Sequence, residues 1–188
     1  MLDRYGITAE QLHEDAMMSA PQIEAPSMKT LFETTAEIMG EDFFELMGEV
    51  EPAMPGVYVC TNESKHHGAS VLMYPDFMDE VADKLGGDFY IIPSSIHETL
   101  LFPAKNVENY HDLEAMVCEV NETQVAPEER LSDNVYHYDA EAKVFELAQH
   151  HEERIADMEK DSGDRDEKAS VLKDLTAKSK EVAEKAPK

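Results

Sequence analysis

The stretch Leu85-Gly86-Gly87-Asp88-Phe89-Tyr90-Ile91-Ile92-Pro93-Ser94-Ser95-Ile96-His97-Glu98-Thr99-Leu100-Leu101-Phe102-Pro103 decides the fold class. Its glycine pair stops a preceding helix, because glycine enters the left-handed region that ends helices without a steric penalty. Phe89–Ile92 is a short, continuously apolar run of the kind a buried strand requires. His97–Phe102 reads as another strand, stopped by Pro103, which has no N–H to give to a sheet.

Working outward, Pro75-Asp76 opens a helix that places Phe77, Val81, Ala82 and Leu85 on one face. Before it, Val57–Cys60 and Ala69–Tyr74 read as strands flanking Asn62–Gly68, a polar connection suited to a hairpin. On the other side, Asn109 is placed to cap a helix whose Leu113, Met116, Val117 and Val120 face inward. Val135–Tyr138 and Lys143–Leu147 read as a last hairpin around Asp139–Ala142, although the second piece could equally join a helix. Towards the N-terminus, Thr8–Met18 has helical texture, followed by a stretch punctuated by Pro21 and Pro26. Ser27 then reads as the N-cap of a helix over Met28–Val50, where Phe32, Thr35, Met39, Phe43, Leu46 and Val50 recur every three or four residues. The resulting order, αββαββαββ, predicts an α+β fold: an antiparallel or mixed sheet built from hairpins and backed by helices.

Charge divides the chain. Residues 1–151 hold 30 acids and 7 bases, net −23, whereas residues 152–188 hold 11 acids and 9 bases, net −2. The sequence therefore predicts an N-terminal helical, Pro-punctuated segment (1–27), an acidic α+β domain (28–151) and a charged, flexible or helical C-terminal tail (152–188). Apolar residues make up 42% of the chain, enough for a core in most of it. No run of apolar residues is long enough to span a bilayer, and the N-terminus lacks a basic region followed by an apolar one. Two cysteines fit a reducing compartment, so the expected location is cytoplasmic. A polyanion repels free nucleic acid and anionic membranes, so neither is an expected partner.

The charge is most ordered on the Met28–Val50 segment, where Glu33, Glu37, Glu41, Glu45 and Glu49 recur every fourth residue. On one helix they would follow one another at about 6 Å, from a rise of about 1.5 Å per residue. Like charges at that spacing destabilise a helix, and solvated faces usually interleave Lys or Arg. Here the only base is Lys29. Asp42 and Phe44 sit beside the row, which reads as a surface for a cationic partner. Methionines at 17, 18, 28, 39, 47 and 54 suit an adaptable contact surface as well as a core.

Other chemistry is sparse. Cys60, His66, His67, His97 and Cys118 lack the short spacings of a structural zinc site, and adjacent histidines in a hairpin tip are expected to point apart, so no metal is expected. Ser94-Ser95-Ile96-His97 lacks a nucleophile elbow, and Cys60 with His97 would need a contact that spacing does not supply. Asp76, Asp79, Glu80 and Asp83, like Glu128-Glu129, read as surface acids, with no calcium-loop pattern among them. No catalytic residue, cofactor or phosphate loop is expected.

The blocks Gly68–Asp76, Leu85–Pro103 and Val120–Asp139 resemble an uncharacterised domain family of clostridial mobile elements, over roughly residues 30–147. The tail SVLKDLTAKSKEVAEKAPK (170–188) is similar to charged C-termini of conjugative-element proteins. In size and acidity the chain also resembles the anti-CRISPR proteins that inhibit Cas9, some of them as DNA mimics. That resemblance implies a non-enzymatic inhibitor of a host defence nuclease, with carboxylates replacing the polyanion in a positively charged channel. Its expected contacts are Glu33, Glu37, Glu41, Asp42, Phe44, Glu45 and Glu49. The rival expectations are a small hydrolase or metal-dependent enzyme built on His97 and Cys60, and a generic soluble scaffold domain.

Overall fold

A computed structural model describes residues 2–40 and 56–160. Two short pieces come first, α1 (Leu2–Tyr5) and α2 (Ala9–Ile23), the latter capped by Thr8, whose hydroxyl accepts the Gln11 N–H at 3.2 Å. They lead into β1 (Pro26–Thr30) and α3 (Leu31–Met39). After residue 55 follow β2 (Tyr58–Asn62), a 3₁₀ turn over Gly68–Met73, α4 (Phe77–Leu85), β3 (Phe89–Ile92), β4 (Thr99–Pro103), α5 (Tyr110–Thr123), β5 (Tyr136–Asp139) and β6 (Val144–Leu147). The chain divides into two compact units at residues 148 and 149. In the second unit, residues 149–160 are helical.

The strands form one sheet in the order β1-β2-β4-β3-β5-β6. Every neighbouring pair is antiparallel, with β3–β4 and β5–β6 as the direct hairpins. The α+β expectation therefore holds. Alternation along the strands sends side chains to both faces, and both faces are covered. On one, Cys60, Phe89, Ile91, Leu101 and Tyr138 pack against Val71 and Tyr74 of the 3₁₀ region and against Phe77, Met78, Val81 and Leu85 of α4. On the other, Ile92 and Phe102 pack against Tyr110, Leu113 and Val117 of α5. Helix α4 stops where Gly86 takes φ +81° and returns its N–H to the Ala82 carbonyl at 2.8 Å. It is tied to the last hairpin through Asp79, which accepts from the Tyr138 hydroxyl and pairs with Lys143. Burial and that carboxylate push the Tyr138 phenol up to about 12.

Several elements differ from expectation: α2 runs on through Pro21 to Ile23, and β4 covers Thr99–Pro103, taking in the Pro103 expected to stop it. Met28, Lys29 and Thr30 are not helical: they close β1, paired with Cys60, Val59 and Tyr58. The helix starts at Leu31, with Thr30 rather than Ser27 as its N-cap, because pairing with β2 satisfies the backbone of residues 26–30 before a helix can claim it. The described part of that helix ends at Met39, where Gly40 at φ +83° breaks the run. Ala69–Tyr74, read as a strand, instead belongs to a 3₁₀ turn over Gly68–Met73 laid against the sheet, with Gly68, Ala69 and Val71 buried. Its apolar content serves the core just as a strand's would, so composition alone does not separate the two.

Candidate functional site

Two groups of side chains merit consideration as a site: the acids on the helices, and a cluster of histidines at one end of β2.

In α3 the glutamates are engaged locally. Thr30 and Glu33 form a reciprocal capping box: the Thr30 hydroxyl accepts the Glu33 N–H at 3.1 Å, and the Glu33 carboxylate accepts the Thr30 N–H at 2.8 Å. Those bonds from Thr30, backbone first, hold the Glu33 carboxyl below its ordinary range. Glu37 pairs with Lys29 across the strand–helix junction and with Lys65 at 3.6 Å, and the Lys29 bond lowers its carboxyl likewise. Glu41, Asp42, Phe44, Glu45 and Glu49 lie outside the described residues.

Helix α5 is different, and the sequence reading passed over it. It carries Asp112, Glu114, Glu119 and Glu122 and no Lys or Arg. Glu114 meets His111 at 2.8 Å. Asp112, Glu119 and Glu122 have no cationic partner among the described residues, nor does Glu108 just before the helix. The signal was present in the sequence as an acidic helix free of bases, but its irregular spacing made no row. A groove of about 790 Å³ runs along this helix, lined by Val57, Phe102, Val107, Asp112, Leu113 and Met116 among others.

The histidine cluster arises from a tightly built turn. Asn62, at the end of β2 and buried, uses its side-chain amide to accept the His66 N–H at 3.1 Å and to donate to the His66 carbonyl at 2.9 Å. This folds residues 63–67 back on themselves, with Lys65 and His67 left-handed at φ 54° and 51°. Gly68 follows, where any Cβ would lie 2.0 Å from Thr61 Oγ1 and 2.4 Å from the His97 carbonyl oxygen, so only glycine fits. The segment bearing His97 is fixed in turn: the Thr61 hydroxyl donates to the His97 carbonyl at 2.8 Å, and the His97 N–H donates to Ser95 Oγ at 3.0 Å.

These contacts bring three imidazoles together. Ring centroids of His66 and His67 are 4.2 Å apart, and each lies within 5.6 Å of the His97 ring. The expectation that His66 and His67 diverge is thus corrected: the left-handed turn at His67 swings both rings to one side. Spacing gives no hint of His97, thirty residues on. The His67 N–H donates to His97 Nδ1 at 3.1 Å, which requires a lone pair there and puts the proton of the neutral ring on Nε2, 3.7 Å from Glu129 Oε1. Among the described residues no three His, Cys, Asp or Glu side chains are placed to hold a metal ion.

Cys60 is not poised as a nucleophile. It is fully buried in the core facing α4, and burial pushes its thiol up to about 12, away from the thiolate that catalysis uses. Cys118 is exposed on α5. Among the described residues no helix is long and apolar enough to cross a membrane.

Over residues 1–140 the chain matches the model of a family of unknown function, DUF5688, and it belongs to that family. Comparison with curated proteins and with solved structures returns no match.

Proposed function

We propose that this chain is a non-enzymatic, acidic inhibitor carried by a mobile element, which occupies the basic nucleic-acid-binding surface of a host defence nuclease of the Cas9 type. The observation that carries the reading is the state of the acids on α5. Asp112, Glu119 and Glu122 find no cation among the described residues. Glu119 and Glu122, three residues apart, repel one another at a cost of a few tenths of a kcal/mol. An arginine-lined channel relieves that repulsion and adds charge-assisted hydrogen bonds, which are about twice as strong as neutral ones. Glu33 and Glu37 are committed to Thr30, Lys29 and Lys65, so they contribute less than the spacing of the row suggests. The proposed contacts are the acids of α5, with Glu41, Asp42, Phe44, Glu45 and Glu49 as the further residues that the sequence nominates. No cofactor takes part.

A Cas9 cleavage assay in rising salt tests the reading. Wild-type protein should inhibit, and inhibition should weaken as salt screens the exposed charges. Two triple variants apportion the surface, one with Asp112→Asn, Glu119→Gln and Glu122→Gln, the other with Glu37→Gln, Glu41→Gln and Glu45→Gln. Wild type that inhibits no Cas9 tried removes the nuclease assignment. Inhibition untouched in both variants moves the contact away from the acids altogether.

A further inference from the structure

We propose that His97 is a proton-operated latch that holds the turn over residues 63–67 against the segment 93–98. In the neutral state the His97 Nδ1 lone pair accepts the His67 N–H at 3.1 Å. A protonated imidazole has two N–H donors and no acceptor, so proton uptake sets one donor against another and the bond is lost. Among the described residues this is the one hydrogen bond from a backbone N–H of residues 63–67 to the 93–98 segment. The turn it restrains includes Lys65 and His67, both left-handed without being glycine, which costs free energy that the surrounding bonds must offset. Once the latch opens, that strain favours release.

His66 and His67 are the imidazoles beside His97, with ring centroids 5.2 and 5.6 Å from its own. Glu129 Oε1 lies 3.7 Å from Nε2, so its contact is with the other nitrogen of the ring and does not restore the bond to His67 once Nδ1 carries a proton. Glu98 is the chain neighbour of His97. Glu63 and Lys65 stand on the exposed turn, and Lys65 is paired with Glu37. Asn62 keeps its grip on His66 at either pH, so opening is local and the sheet is spared.

Amide hydrogen exchange of the full chain by NMR, corrected for the chemical pH dependence of exchange, reads the latch at His67. On acidification from about pH 7.5 to about pH 5.5, protection of the His67 amide should fall by about tenfold or more, with β3 and β4 amides unchanged. His97→Asn supplies an acceptor oxygen that does not titrate, and its protection should change by less than about twofold over the same range. A double variant, His66→Gln with His67→Asn, keeps the backbone donor and His97 and should still open on acidification. Unchanged wild-type protection overturns the proposal, as does His97→Asn opening like wild type, or a double variant that stays closed. If His97→Asn does not fold, wild type and the double variant decide between them.

Discussion

Helices α3 and α5 have similar acid content in the sequence and opposite fates in the structure. Helix α3 buries only Ala36 and is held at its start by the Thr30–Glu33 box and across the junction by Lys29 and Glu37. Its carboxylates do structural work. Helix α5 buries Tyr110, Leu113, Val117 and Asn121, and the Asn121 amide donates to the Ser132 carbonyl and to Asp133 at 3.0 and 2.7 Å. Because its apolar face and that amide already anchor it, its acids are not needed to hold it in place. The difference teaches that a carboxylate's availability follows from what else secures its helix, and not from how regularly it recurs.

The largest expected effect probes that anchoring. Leu113→Ala should destabilise the domain by about 2–5 kcal/mol, as buried leucine truncations do, measured by denaturant unfolding. A loss under about 1 kcal/mol would mean that α5 is not held by its apolar face. Next comes the charge itself. The triple variant of Asp112, Glu119 and Glu122 should weaken partner binding by about tenfold or more, worth about 1.4 kcal/mol, with a melting curve unchanged or slightly higher. Thr30→Ala reverses the pattern: stability should fall by about 1 kcal/mol through loss of the cap, while partner binding stays within about twofold. Equal binding losses in both variants would erase the distinction between the helices.

Two smaller effects sharpen the comparison. The Glu33 and Glu37 carboxyls sit below their ordinary value of 4.5 in the folded protein, through Thr30 and Lys29 respectively. Their stabilising contribution is therefore fully present above that value and is lost as the pH falls through the lowered one. Melting temperature should drop on acidification below about pH 4.5, and Glu33→Gln should make that drop shallower. Finally, a thiol reagent at neutral pH should label Cys118 and leave Cys60 untouched until the protein unfolds. A bulky adduct on Cys118, one residue from Glu119, should reduce partner binding by a few-fold.

Much of the fold could be read from local chemistry. Phe89–Ile92 was legible as a strand from its apolar run, and so was a strand after it, although that strand covers Thr99–Pro103, with Pro103 opposite Phe89, and not His97–Phe102. Asn109 caps α5, its side chain accepting the His111 N–H at 3.1 Å, and the 3.6-residue spacing of Leu113 and Val117 matches the face that is buried. These features depend on residues within a turn or two of each other, and such interactions are written along the chain. The kinship with an uncharacterised family was legible for a similar reason, since it rests on contiguous blocks.

What tertiary contacts decided lies where a segment had two local options. Met28–Thr30 fits a helix by spacing and a strand by pairing, and β2 settled the matter by offering its edge to residues 26–30. Gly68–Met73 fits a strand by composition, but Gly68 must pass within van der Waals limits of Thr61 and the His97 carbonyl, and the chain turns there instead. The histidine cluster belongs to the same class: His67 and His97 meet because β2 and β4 are neighbours in the sheet, a relation that no local spacing encodes. Hydrophobic period and capping act over a few residues, so the chain alone fixes helices, strands and total charge. Partners for backbone groups, imidazoles and carboxylates come from distant segments, so which acids are spent and which remain exposed is settled only when the sheet closes.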